Sequence, residues 1–408
     1  MRRNTSNVSP IGDRARTLEP VPATSAPANG RVYLDHAATT PMLPEAVDVM
    51  LPLLSEHFGN PSGVHIHARQ ARAVLEESRD RLADVLGCRA REVVFTGGGT
   101  EALNFALRGM GGAAADPLTI ALSTIEHDAV RNTTAAMVHS AGTRAVELPV
   151  SGEGVLDLDA AQARIDSSVG IVAVMAVNNE VGTIQPIEQL AAIMRANAPD
   201  AVLVVDAVQA MAWIDVRPLA RFADLLALSA HKFGGPQGTG CLVVREGVVI
   251  DPLIHGGGQE RDRRSGTQNV AGIAAMAEAA VITDARRSAT VLRVGRLRDR
   301  LLAGLCSAIP RAAVTTLAAR AAGSAHVCID GIESEELLIL LDRDGVSASA
   351  GSACASGALH VSPVLLAMGV PKERALGSLR LTLGASTTDA DVDLVLEVLP
   401  LAVARLLA

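Results

Sequence analysis

Lysine is nearly absent from this sequence. Of its 36 lysines and arginines, only Lys232 and Lys372 are lysines. Lys232 stands in "LSAHKFGGPQGTG", after an apolar run that reads as a strand and before a turn rich in Gly and Pro. In open α/β sheets, ligands gather beyond the carboxyl ends of the strands. A lysine desolvated there has a lowered pKa and a nucleophilic amine. Arginine cannot substitute, because its guanidinium stays protonated. The segment therefore points to Schiff-base chemistry at a primary amine. An ordinary surface lysine is the competing reading.

Asp206 ends the run "AVLVVDAVQA". A carboxylate at the end of a buried strand needs a cationic partner. The pyridinium nitrogen of pyridoxal phosphate would be one, and holding it protonated makes the ring an electron sink. Asp206 could equally cap a following helix. Gln209 lies close enough along the chain to reach the phenolic oxygen of such a ring. "TGGGTEALN" follows the strand "EVVF" and opens a helix. Its glycines admit close backbone approach, and a helix N-terminus offers N–H groups to a phosphate. No Lys-Ser/Thr follows, so it is not a P-loop; Ala102 occupies the third glycine position of G-x-G-x-x-G. A phosphate cradle and a plain tight turn both fit. His127, in "STIEHDAVRN", could stack on a cofactor ring and move protons, or be structural. Cys354 lies among small residues in "SASAGSACASGALH", with few packing partners nearby, unlike Cys328 in "AHVCID". That makes Cys354 the candidate thiol nucleophile.

These residues need a scaffold. "AVDVMLPLL" and "ARAVLEESRDRLADVLG" have helical periodicity, the second ending at Gly87. "EVVF", "LTIALST", "GIVAVMAV", "VLVVDAV" and "LLALSA" read as buried strands separated by helices or loops. The alternation predicts an α/β domain with a mostly parallel sheet. A long helix over about 273–308 would lead to a second domain built from "AHVCIDG", "SEELLILLDRDG" and the small-residue loop. The expected boundaries are a disordered tail over 1–30, a large domain over 46–290, and a small α+β domain from 31–45 plus 291–408.

Bulk properties agree. With 408 residues, 49% hydrophobic and 20% charged, the chain can bury a sizeable core. Aromatics make up only 2%, so that core must be aliphatic. A net charge of −8 argues against general affinity for nucleic acid or an anionic membrane. The five cysteines are widely spaced, which is neither a zinc nor a disulfide pattern, and suits a reducing cytosol. The first thirty residues lack the apolar centre of a secretory signal. Pro10, Pro20, Pro22 and Pro27 interrupt any amphipathic transit helix.

Taken together, "YLDHAATTP", "FTGGGTEALN", "EHDAV", "VNNEVGTIQP", "DAVQA", "LSAHKFGGPQGTG", "GGGQERDRRSGTQN", "SAGSACASG" and "SLRLTLG" resemble the cysteine desulfurases. That family belongs to the class V aminotransferase group of fold-type I pyridoxal phosphate enzymes. The resemblance runs from about Val32 to the C-terminus. "GSACASG" is similar to the IscS/NifS-like branch, whose cysteine rides on a long flexible loop, rather than to the SufS-like branch. It implies a mainly parallel seven-stranded sheet flanked by helices. Carried over, Lys232 would bind the cofactor's aldehyde carbon, Asp206 its ring nitrogen and Gln209 its ring oxygen. His127 would stack on the ring and assist proton transfer. Gly99, Thr100, Ser229 and His231 would hold the phosphate, with Thr267 completing that site from a second subunit, which implies a homodimer. Asn179 and Arg380 would hold the substrate carboxylate, and Asn179 also borders the cofactor. Cys354 would accept the sulfur. Two positions depart from the family pattern: His36 replaces Asn, and Leu103 replaces Asp. His36 is expected to alter substrate contacts or pH dependence.

The implied reaction converts L-cysteine to L-alanine, with a persulfide on Cys354 that passes to an acceptor protein in the cytoplasm. Iron–sulfur assembly, tRNA thiolation, DNA phosphorothioation and sulfur-containing metabolites are all open destinations. Selenocysteine lyase, cysteine-sulfoxide lyase and aminotransferase are alternatives on the same scaffold. A catalytically silent scaffold for a sulfur-transfer partner is another.

Overall fold

The computed structural model describes residues 30–114, 117–351 and 361–408. Seven strands form the main sheet: β1 (Val93–Thr96), β2 (Thr119–Ser123), β3 (Arg144–Leu148), β4 (Val169–Met175), β5 (Val202–Asp206), β6 (Leu225–Ser229) and β7 (Gly240–Val244). Their spatial order is β1-β7-β6-β5-β4-β2-β3. Only β7 runs against the rest, antiparallel to both β1 and β6. Helices cover both faces, so most of these strands are apolar without alternation and buried throughout. The mainly parallel α/β class is as expected.

Two of the strands are not among those that the apolar runs predict. Strand β3, "RAVEL", is a sheet edge and mostly exposed, so it lacks an apolar run. Strand β7, "GCLVV", is apolar and buried, but it follows directly on the glycine-rich Lys232 turn. The helices match more closely. Ile66–Leu86 ends at Gly87, whose φ of 67° makes the left-handed C-cap. The long helix is Val270–Ala308, starting three residues before the expected position because Asn269 accepts from the Gly272 amide at 3.0 Å. Its N-terminal half, buried from Val270 to Ala277, packs on the main sheet's core.

A second core gathers Val32 and Leu34 with Leu297, Leu301, Leu337 and Leu381. It sits on a three-stranded antiparallel sheet of Ala312–Val314, Ser324–Ile329 and Ser378–Thr382. Val32–Tyr33 pairs in parallel with Val346–Ser347, returning the start of the described chain to this second core. That return brings the segment after Tyr33 across to the main sheet. Arg380, on Ser378–Thr382, reaches the same region.

Candidate active site

Strands β1, β2, β4, β5 and β6 run in one direction, and their carboxyl ends open on a cavity of about 860 Å³. Gly99 and Thr100 come from the turn after β1, and His127 from the loop after β2. Asn179 follows β4, Asp206 and Gln209 follow β5, and Ser229, His231 and Lys232 follow β6. Arg380 closes the far side. All of these line the cavity. Two predicted residues do not join them. Thr267 is exposed and lies elsewhere on the chain's surface. Cys354 lies outside the described residues.

Lys232 ends a one-turn 3-10 helix that follows β6. Its Nζ donates to the carbonyls of Ala37 and Ala38, at 2.6 and 2.7 Å. Gln209 Nε2 donates to the same Ala37 carbonyl at 2.8 Å. The opening motif "LDHAATTP" therefore forms the wall behind the lysine. That wall is fastened by the Ala37 amide, which donates to Thr382 Oγ1 at 2.9 Å.

At the phosphate end, Gly98 has φ 144°, a conformation suited to glycine. The helix Gly99–Ala113 begins without a side-chain cap. Its first N–H groups are thus left for an anion. A Cβ added to Gly99 would sit 2.6 Å from Val208 Cγ2, so the cradle has no room for a larger residue. Beside it, burial and the Lys232 charge push the His231 pKa down to about 4. His231 is therefore neutral, with Nδ1 3.1 Å from Thr39 Oγ1.

Asp206 is buried at the centre. Burial raises its pKa, while His127 and Lys232 pull it back. One oxygen accepts from the Val208 amide at 2.9 Å, which caps a turn rather than a following helix, and the residue lines the cavity. His127 caps the helix Asp128–Ala141: its Nδ1 accepts from the Ala129 amide at 3.0 Å. In the neutral ring that bond assigns the proton to Nε2. Arg380 donates to Asp35 Oδ1 at 2.7 Å and to the Asn179 carbonyl at 3.0 Å. Its buried Nε has no partner among the described residues.

The donor set suits pyridoxal phosphate on its own chemistry. A primary amine, a buried carboxylate for a ring nitrogen, and an uncapped helix N-terminus with Thr100 and Ser229 face one cavity. Sequence reasoning missed five further charged lining residues: Glu126, Asp128, Arg131, Glu180 and Lys372. In "EHDAV" the histidine is the conspicuous residue, and the glutamate before it is not. Lys372 can be counted in the composition, but only the fold places it at the cavity that Lys232 lines.

His36 is not among the lining residues of this cavity. It lines a second cavity of about 540 Å³ with Trp213, Gly323 and Gly384. Its ring meets Tyr33 edge-on, with centroids 5.0 Å apart. Burial pushes its pKa down to about 4. Lys232, Gln209 and Ala37 line this second cavity as well as the first, so His36 stands next to the proposed cofactor site rather than among its lining residues. Leu103 lines the main cavity, fully buried on the helix Gly99–Ala113.

Comparison with known proteins agrees with this geometry. Residues 32–395 match the family model described as aminotransferase class-V. A "Cysteine desulfurase IscS" of Methanosarcina thermophila is 42% identical over 380 residues, which are 93% of this chain and 93% of that protein. A solved structure titled "NIFS-LIKE PROTEIN" superposes with a TM-score of 0.87 at 34% identity, covering 92% of this chain and all of the other. Another, titled "SspA in complex with cysteine", gives 0.76 at 28% identity over 86% of this chain and 98% of the other. The chain belongs to the class V aminotransferase family.

Proposed function

We infer that this chain is a pyridoxal-phosphate-dependent cysteine desulfurase, producing L-alanine and a persulfide carried on Cys354. The observation that carries the assignment is the convergence of Lys232, Asp206, His127 and Arg380 on one cavity. Bound pyridoxal phosphate supplies an aldehyde that condenses with amines and a ring that accepts the electron pair left at Cα. Lys232 would hold the cofactor through its side-chain amine. Once free, that amine would take the proton from substrate Cα. His127, with its proton on Nε2, assists that transfer. Asp206 would hold the ring nitrogen in its cationic form, and Gln209 would bond the ring oxygen. Arg380 and Asn179 orient the substrate carboxylate.

The Cys354 thiolate attacks the substrate sulfur. An S–S bond forms, the substrate C–S bond breaks, and its electron pair passes to the carbon that becomes the alanine methyl group. No external oxidant or reductant is needed. Two observations support Cys354. Gly351 and Val361, which stand on either side of it in the chain, both line the cavity. None of the four described cysteines does, and burial raises the pKa of Cys88, Cys241 and Cys328.

The two cores are proposed as two domains, 46–290 and 31–45 plus 291–408. An exposed Thr267 that misses its own cavity is what a residue serving a second copy requires; the working form is proposed to be a homodimer. The sulfur passes to an acceptor protein. No described helix is long and apolar enough to cross a membrane, and a cytoplasmic location is proposed.

The test is to load the purified protein with pyridoxal phosphate and L-cysteine, then quantify alanine and cysteine-bound persulfide together. Wild type should form both, with the persulfide mapping to Cys354. Lys232→Ala and Cys354→Ala should each abolish both products. Cofactor bound at Lys232 without persulfide on Cys354 would overturn the sulfur chemistry.

A further inference from the structure

Glu126 is a carboxyl that the chemistry above leaves unused. It immediately precedes His127, is buried, and lines the cavity. Its Oε1 accepts from the Met175 amide at 2.9 Å and from the Ser123 hydroxyl. Ser123 ends β2, and Met175 ends β4, where it lies opposite Asp206 in the register with β5. One oxygen thus ties the strand end that presents His127 to the strand end beside Asp206. The other oxygen, Oε2, is buried and has no partner among the described residues.

A carboxylate this deep is costly when charged. Burial pushes its pKa up to about 8; the Ser123 and Met175 bonds oppose that rise, and the negative charge of Asp206 adds to it. The other charged or titratable groups facing the cavity are His127, Asp128, Arg131, Glu180, His231, Lys232, Lys372 and Arg380. Two carboxyls sharing a desolvated site do not both ionise readily. Asp206 has an amide donor, and Lys232 and His127 favour its charge. Among the described residues no cation offsets the burial of Glu126, so the proton belongs on Glu126.

We propose that Glu126 is a positioning residue: a neutral carboxyl that clamps the ends of β2 and β4, fixing His127 relative to Asp206 while the negative charge stays on Asp206. The roles of His127 and Asp206 rest on the function proposed above. The protonation and the clamp belong to the chain alone.

Three measurements test it. In the cofactor-free protein, the infrared difference between wild type and Glu126→Gln at pH 7 should contain a protonated-carboxyl band. That band should convert to carboxylate as pH rises through about 8. In the loaded enzyme, Glu126→Gln keeps the accepting oxygen and should retain the wild-type cofactor absorption spectrum and kcat. Glu126→Ala removes the clamp. It should shift the spectrum and lower kcat by up to about 100-fold, the cost of a small misplacement of reacting groups, with KM for cysteine little changed. A carboxylate band at pH 7 overturns the proposal, as does equal damage in the Gln and Ala variants or none in either. If Glu126→Ala fails to fold, the infrared band and the Gln variant still decide. Should wild type show the band but no turnover of cysteine, the proposed function fails and the clamp stands.

Discussion

Glu260 offers the sharpest test of how the fold presents Thr267. The segment "GGGQERDRRSGTQN" contains three consecutive non-glycine residues in left-handed conformation: Glu260, Arg261 and Asp262, with φ of 50°, 60° and 63°. Each costs roughly 1–2 kcal/mol, so the turn needs about 3–6 kcal/mol of support. The Glu260 side chain provides it. It accepts from Arg79 Nη1 and Nη2 at 2.7 and 2.9 Å, and from the Phe95 amide at 2.9 Å. Arg79 is equally buried, donates to the Val93 carbonyl at 2.9 Å, and lies over the Phe95 ring at 4.6 Å. Burial works to raise the Glu260 pKa, yet Arg79 and the amide hold it below the usual carboxylate value. Glu260→Gln keeps the shape but removes the buried counter-charge of the Arg79 guanidinium, leaving it only the half-exposed Glu76 at 3.1 Å. Breaking such a pair costs about 3–5 kcal/mol. Urea unfolding of the cofactor-free protein at pH 7 should show that loss. A depressed carboxylate stabilises above its unfolded pKa and loses that contribution as pH falls through its folded pKa. The gap between wild type and variant should therefore narrow in acid. A loss below about 1 kcal/mol at pH 7, the range of exposed pairs, would refute the claim that this pair holds the turn.

Two further outcomes concern His36. Its folded pKa is depressed to about 4 from the ordinary 6.5, so the folded chain binds fewer protons than the unfolded one between those values. Stability is then lost as pH falls through that window, and His36→Asn should relieve about 2–3 kcal/mol of it near pH 4.5, read as a smaller acid shift of the urea midpoint. The pH–rate profile above pH 6 should be unchanged in the same variant, against the sequence-based expectation. A Cβ at Gly384 would lie 2.3 Å from the His36 ring. Gly384→Ala should therefore cost about 1–3 kcal/mol by overpacking, most of it recovered in a His36→Ala background, by the same unfolding measurement.

Much of the site is legible in the sequence because its residues break local rules. An aspartate closing a buried strand and a lysine in an arginine-rich chain stand out from their neighbours by type and position alone. The parallel strands are legible for a related reason. Burial on both faces leaves continuous apolar runs in β2, β4, β5 and β6, whereas the exposed edge strand β3 carries Arg144 and Glu147 and reads as loop. What cannot be read depends on pairing across the chain. The carbonyls of Ala37 and Ala38 that meet Lys232 lie nearly two hundred residues away in sequence and belong to the plainest residue type in the chain. Glu126 is overshadowed by His127 because a carboxylate before a histidine looks like solvated surface, and only the neighbouring strand end at Met175 buries it.

Lysine scarcity shows both the strength and the limit of composition as evidence. It singles out Lys232 because a strand and a glycine turn flank it, which is where α/β sheets place ligands. The same scarcity applies with equal force to Lys372, which follows Pro371 in a polar stretch and offers no such context. In the fold Lys372 is exposed at the same cavity that Lys232 lines from within. Rarity therefore marks both residues, but position relative to a strand end distinguishes only one. The shared cavity arises because Ser378–Thr382 belongs to the second core, while Ala375 of the helix Lys372–Ala375 packs with Ile125 and Val181, which follow the carboxyl ends of β2 and β4. That juxtaposition is a property of two cores meeting, and no local stretch of sequence encodes it.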